Sequence, residues 1–218
     1  MRRVLAGMLI GATVLVGCAG RGAEQPMLSP SRCYEATGHT VRGEFLRAFD
    51  AWGGVRSLGY PITEAFEQSG RLVQYFTYAR LEDHPDNPAG PMVKLGMLGE
   101  DMGRRQPPID ARRVPPALEP TTRYYPESGH VVRGDFLRFI EANGGVERFG
   151  FPIGEPIVVA GHLVQDFQHL RLVWQPGAQQ AVTMEESGCV YFQTRRLDPS
   201  LLSAQVCQPD ADVVPAGE

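Results

Sequence analysis

The sequence predicts an α+β protein built from two tandem copies of a small helix-plus-antiparallel-hairpin unit. Three observations carry that expectation. Residues 38–85 align with residues 129–176 without a gap at a constant offset of 91, and about half of the aligned positions are identical. Each copy contains one stretch with apolar residues at helical spacing and a later stretch that alternates with the period of a strand. A two-residue turn signal, Ser69-Gly70 or Ala160-Gly161, interrupts each strand-forming stretch. A duplication of this kind means one folding unit used twice.

The helix of the first copy is expected from Phe45, Leu46, Phe49 and Trp52, matched in the second by Phe136, Leu137, Ile140 and Asn143. Gly53-Gly54 and Gly144-Gly145 stop it, since glycine takes the left-handed cap without steric cost. A short helical turn follows at Val55 to Leu58 and ends before Pro61; Pro152 plays that part in the second copy. The hairpin pairs residues 62–68 with residues 71–82. The first copy closes with a Pro/Gly/Asn loop and the apolar run MVKLGMLG, a candidate third strand; the second copy substitutes a different ending, MEESGCVYFQTRRLD.

The N-terminus reads as an export signal. Arg2 and Arg3 precede an apolar stretch from Val4 to Val16, 13 residues and short for a bilayer span. The stretch ends in Leu15-Val16-Gly17-Cys18, which resembles the lipobox of bacterial lipoproteins. That resemblance implies cleavage after Gly17 and acylation of Cys18, placing the chain at the outer face of a bacterial membrane. Two or three acyl chains anchor stably, at about 0.8 kcal/mol per buried methylene. The domain plan is then a signal over 1–17, a tether over 18–32, a first repeat over 33–103, a Pro-rich semi-rigid linker over 104–123, a second repeat over 124–207 and a disordered tail over 208–218.

Without the signal the chain carries 19 basic and 25 acidic residues, a net charge of −6. That balance argues against nucleic acid, which needs a concentrated basic surface. Besides Cys18 there are Cys33, Cys189 and Cys207. Export permits a disulfide, and Cys189–Cys207 is the expected pair, stapling the C-terminal tail; Cys33–Cys207 and Cys33–Cys189 remain open alternatives. No CxxC or HxxH spacing occurs, so neither a metal nor another cofactor is expected.

Comparing the copies separates what each keeps from what it changes. His39, Arg42, Glu64, Gln74 and Arg80 recur as His130, Arg133, Glu155, Gln165 and Arg171. Buried polar groups require partners, so these ten are expected to form an internal network, with each glutamate paired to Arg80 or Arg171. In the alternating strand, Leu72, Gln74, Phe76 and Arg80 form the constrained face, and Tyr75 and Thr77 the wet one. Aromatics concentrate in the first copy: Trp52, Tyr60, Tyr75 and Tyr78 face Asn143, Phe151, Asp166 and His169 in the second. Exposed aromatics stack on sugars or partner surfaces, so these four are the candidate binding residues, with Trp52 and Tyr60 also read as core.

At Leu58-Gly59-Tyr60-Pro61 and Phe149-Gly150-Phe151-Pro152 the chain resembles LGFP-type repeats. It is more similar still to a related repeat of secreted Chloroflexota proteins, with the pattern TGH…G-x-F-L…GG…GYPI…GR-x-VQYF-x-x-AR-x-E-x-HP. The first copy shows nearly all of it from Thr37 to Pro85; the second has Ser128-Gly129-His130 and Asp166-Phe167, and carries Val173 and Gln175 in place of the Glu and His of the closing motif. The resemblance implies an extracellular, often wall-associated accessory module and supplies no catalytic residues. The expected function is a non-catalytic, lipid-anchored surface protein whose modules contact a cell-wall polysaccharide or surface protein. The alternatives are an envelope glycan hydrolase using Glu64, Glu82, Asp83 or Glu155, or a purely structural spacer. A glycosidase needs two carboxyls across one cleft, and no such pair is evident in the sequence.

Overall fold

A computed structural model describes residues 29–87, 90–114, 120–178 and 180–207. The expected signal sequence, Cys18, most of the expected tether and the expected tail from residue 208 lie outside the described residues. The first copy runs β1 (Ser31–Tyr34), β2 (His39–Arg42), α1 (Gly43–Ala51), α2 (Gly54–Leu58), β3 (Phe66–Gln68), β4 (Arg71–Tyr75), β5 (Arg80–Asp83), β6 (Val93–Leu95) and α3 (Leu98–Asp101). The second repeats that order as β7 (Thr122–Tyr125), β8 (His130–Arg133), α4 (Gly134–Ala142), α5 (Gly145–Phe149), β9 (Ile157–Val159), β10 (His162–Asp166), β11 (Arg171–Trp174), β12 (Val182–Met184) and α6 (Ser187–Thr194). The protein is α+β, but the unit is larger than a helix on one hairpin. Each copy has a two-stranded ribbon and a separate four-stranded antiparallel meander, ordered β3-β4-β5-β6 and β12-β11-β10-β9.

Local chemistry explains the elements. On α1, Phe45, Leu46 and Phe49 are buried, and Phe49 stacks on Phe76 with ring centroids 5.0 Å apart. The matching face of α4 buries Phe136, Leu137 and Ile140 against Phe149, Phe167 and Leu172. Each such side chain contributes roughly 1.5–3 kcal/mol by leaving water. Gly53 and Gly144, at φ +92° and +105°, turn the chain from each long helix into the short one. Residues 71–82 are not one strand: Phe76 N–H donates to the Ala79 carbonyl, at 2.8 Å, and folds the segment back on itself. Tyr75 and Arg80 are therefore register partners on adjacent strands. The run MVKLGMLG and its supposedly different counterpart adopt one plan, a last strand and then a helix, and only the loop before that strand is shorter in the second copy.

The copies exchange their C-terminal helices. Gly99 of α3 donates its N–H to Gln168 of the second copy (2.9 Å), and Gly188 of α6 donates to the equivalent Thr77 of the first (3.1 Å). A Cβ at Gly99 or Gly188 would overlap the carbonyl oxygen of Phe167 or Phe76, so only glycine permits this approach. After each helix the chain continues as a strap along the copy it has joined. In the first strap, Gln106 N–H donates to Ile153 (2.7 Å) and Ile109 N–H to Gly129 (2.9 Å); in the second, Gln205 N–H donates to Gly38 (2.9 Å). The segment expected to be a linker is thus, from Arg104 to Ile109, part of the second copy's packing. The expected Cys189–Cys207 pairing is corrected here: Cys207, at the end of the second strap, bonds Cys33 on β1, and Cys189 is free. The exchange explains this, because it carries the C-terminal strap back to the start of the first copy.

Candidate functional site

The repeated polar residues form one cage in each copy. Glu64 Oε1 accepts the Thr40 N–H at 2.7 Å and lies 3.7 Å from His39 Nδ1. Gln74 Nε2 donates to the carbonyls of Thr40 (3.0 Å) and Thr63 (2.8 Å). In the second copy Glu155 Oε1 accepts the Val131 N–H at 2.9 Å and lies 3.4 Å from His130 Nδ1, while Gln165 Nε2 donates to Val131 (2.8 Å) and Gly154 (3.0 Å). The cage ties the β1–β2 or β7–β8 ribbon to the meander. Arg42 and Arg133 are not in it; both end their strands exposed. Arg80 and Arg171 are not in it either, and the expected Glu–Arg pairings do not form.

Those two arginines lie instead beneath the exchanged helices, in two different settings. Arg80 pairs with Glu82 and with Asp101, and its guanidinium lies over the rings of Tyr75 and Tyr191, 5.7 and 5.2 Å from their centroids. Tyr75 stacks on Tyr191 at 5.8 Å and hydrogen-bonds Gln68 at 2.8 Å. Burial raises its pKa above the usual tyrosine value, with Arg80 opposing. In the second copy the residue equivalent to Tyr75 is Asp166. It accepts from Arg171 at 2.8 and 2.9 Å and lies 3.5 Å from Arg104 of the first strap. Arg104 in turn binds Glu185 at 2.7 Å.

The four candidate binding aromatics separate accordingly. Tyr75 is fully buried, which corrects the expectation of a wet face: α6 covers it. Trp52 packs half-buried on the first core. Tyr60 is 41% exposed and meets Tyr34 edge-on. Tyr78 lines a cleft between the copies. They do not form one platform.

That cleft, about 610 Å³, lies where α2 faces α5. The first copy contributes Val55, Arg56 and Tyr78; the second contributes Phe139, Asn143, Arg148, Gln180, Thr183 and Met184. Arg148 spans the junction, donating from Nη2 to the carbonyl of Ser57 at 3.0 Å, its own equivalent in the other copy. His169, beneath, sits with Nδ1 at 3.0 Å from the Arg148 carbonyl oxygen; burial lowers its pKa, and that backbone contact works in the opposite direction. Sequence comparison passed over Arg148 because it changes between copies and belongs to no motif. A smaller cavity, about 320 Å³, lies under the second strap against His39, Thr37 and Cys189. In the second copy Gln106 of the first strap lies against the equivalent histidine, its carbonyl oxygen 3.2 Å from His130 Nε2. Burial, reinforced by Glu186, raises the Cys189 pKa, which keeps that thiol protonated and unreactive. Among the described residues, no three His, Cys, Asp or Glu side chains are grouped to hold a metal, and no helix is long and apolar enough to cross a membrane.

No protein-family model matches the chain, and no curated protein matches it significantly.

Proposed function

We propose that the protein is a non-catalytic lipoprotein, held by Cys18 at the outer face of a bacterial membrane, whose two modules act as one binding body on an envelope polymer or protein. The observation that carries this reading is the double cage. Of the carboxylates considered for a hydrolase, Glu64 and Glu155 each hold a backbone N–H of the adjoining ribbon, and Glu82 pairs with Arg80. Side chains repeated for that purpose maintain shape, and the surface between the copies is left for recognition. The Cys33–Cys207 bond is compatible with an exported protein.

Two measurements test it. Wild type and Cys18→Ala are expressed with labelled palmitate: label and membrane association are expected in wild type alone. The full-length protein in detergent is then sedimented with isolated envelopes. Retention above a detergent-only control is expected. No retention reduces the protein to a spacer, and lytic activity that disappears in Glu64→Gln without loss of fold makes it an enzyme.

A further inference from the structure

The cleft between the copies contains a positive charge that no described acidic residue balances. Arg148 is 9% exposed. Its hydrogen bonds go to neutral acceptors: Nη1 to the Asn143 carbonyl at 3.1 Å and Nη2 to the Ser57 carbonyl at 3.0 Å. Nη2 also lies 3.2 Å from Met184 Sδ, and buried Nε has no acceptor among the described residues. Burial lowers the pKa of this guanidinium, and no acid raises it again. The other sequestered arginines differ. Arg80 pairs with Glu82 and Asp101, Arg104 with Asp166 and Glu185, and Arg171 with Asp166. A buried charge without a counter-charge is strongly unfavourable, so an arginine left in this state marks a place where a negative group has been omitted from the chain.

The surroundings fit a ligand that brings one. Arg56, exposed on α2, lines the same cleft and forms no ion pair among the described residues. No Asp or Glu is among the described residues lining the cleft. Tyr78, Asn143, Gln180 and Thr183 add hydroxyl and amide groups, and the volume of about 610 Å³ suits a small-molecule site. Ser57 replaces Arg148 in the first copy, so the duplicated body has one such site.

We propose that this cleft binds a carboxylate or phosphate group carried on a sugar-sized body. The anion sits against Arg148 and Arg56, where charge-assisted hydrogen bonds are strongest, and the amides and hydroxyls hold the body. The inference rests on the reading of the protein as a binding module and names the ligand class of that module.

The test is calorimetry on the full-length protein in detergent with three probes that share one ring: glucuronate, glucose 6-phosphate and glucose. At least one of the two anionic sugars is expected to bind, with no measurable binding of glucose. Which of them binds tells a carboxylate source from a phosphate source. Arg148→Gln is expected to abolish binding. Arg56→Gln, on the surface and harmless to folding, weakens it by about tenfold, the equivalent of one charge-assisted bond. Should Arg148→Gln fail to fold, Arg56→Gln and Gln180→Ala decide. Equal binding of all three sugars, no binding of either anion, or an affinity untouched by both surface variants overturns the proposal. Envelope sedimentation of the same samples separates the two readings. Retention without anionic-sugar binding removes this site and leaves the surface-binding role, whereas sugar binding without retention does the reverse.

Discussion

The seats of the two exchanged helices occupy the same place in their copies and work by different chemistry. Beneath α6, Tyr75 stacks between Phe66 and Tyr191, with Phe192 edge-on. Beneath α3, the equivalent Asp166 is enclosed by Arg171 and Arg104, with Glu185 completing the group. The backbone contact is the same in both, one glycine N–H to one equivalent carbonyl. The fold thus specifies the approach of the helix and leaves the filling free, provided each polar group in it is paired, as Arg80 is with Glu82 and Asp101 beside the rings. An aromatic seat relies on area and degrades gradually. An ionic seat is undone by the loss of one partner, because the remaining charges stay buried.

A second asymmetry concerns the straps. The one along the second copy continues into that copy's own chain, whereas the one along the first is bonded to its copy by Cys207–Cys33. Breaking that bond is therefore the largest perturbation. Cys33→Ser is expected to lower stability by roughly 5 kcal/mol on the loop-entropy estimate. Hydrogen exchange should find protection lost at Gln205, whose N–H bonds to Gly38, and kept at Ile109, whose N–H bonds to Gly129. Equal loss in both copies would remove the asymmetry. Next, Asp166→Asn is expected to cost about 3 kcal/mol in urea unfolding, because two guanidiniums would then share Glu185 alone. Tyr75→Phe keeps the stacked ring and loses the hydroxyl's bonds to Gln68 and Arg80, a cost of about 1–2 kcal/mol.

Much of each copy's interior was legible in the sequence. The apolar spacing of Phe45, Leu46 and Phe49 locates α1, the paired glycines mark its stop, and Ser69-Gly70 adopts positive φ at the expected turn. The fold-back at Phe76–Ala79 was not legible, because neither FTYA nor FQHL contains a Gly, Pro, Asn or Asp turn signal. The exchange was hidden for another reason. Periodicity reports that a helix has an apolar face, not which of two similar copies that face meets. Leu98, Tyr191 and Phe192 give no hint that they converge on one cluster with Val73 and Tyr75. That omission explains both Tyr75, misread as wet, and the disulfide, assigned to the wrong cysteine. In the cleft, Tyr78 was identified but Arg148 was not, since comparing copies favours what both keep and a site at their junction is made by what differs.

Titration offers the finest comparison of the copies. The raised pKa of buried Tyr75 means that stability is full below the unfolded tyrosine value of about 10 and falls as pH rises beyond it; this alkaline loss should be smaller in Tyr75→Phe. His169, where the first copy has Tyr78, has a lowered pKa. Its folded form resists protonation, so stability is full above the unfolded histidine value of about 6.5 and declines as pH falls through the folded one. Replacing His169 with the first copy's tyrosine is expected to flatten that acid limb, the smallest of these effects. Unfolding midpoints measured across pH for the two variants check both limbs.

The Cys33–Cys207 bond has a mechanical consequence. It joins two points 174 residues apart in the chain, so tension applied at the two ends of the folded body travels through sulfur and bypasses both sheets. A stretched oxidised molecule would not lengthen between residues 33 and 207. Once reduced, it would release a hidden contour on the order of 600 Å, at about 3.4 Å per residue. The two modules would therefore be loaded together or not at all.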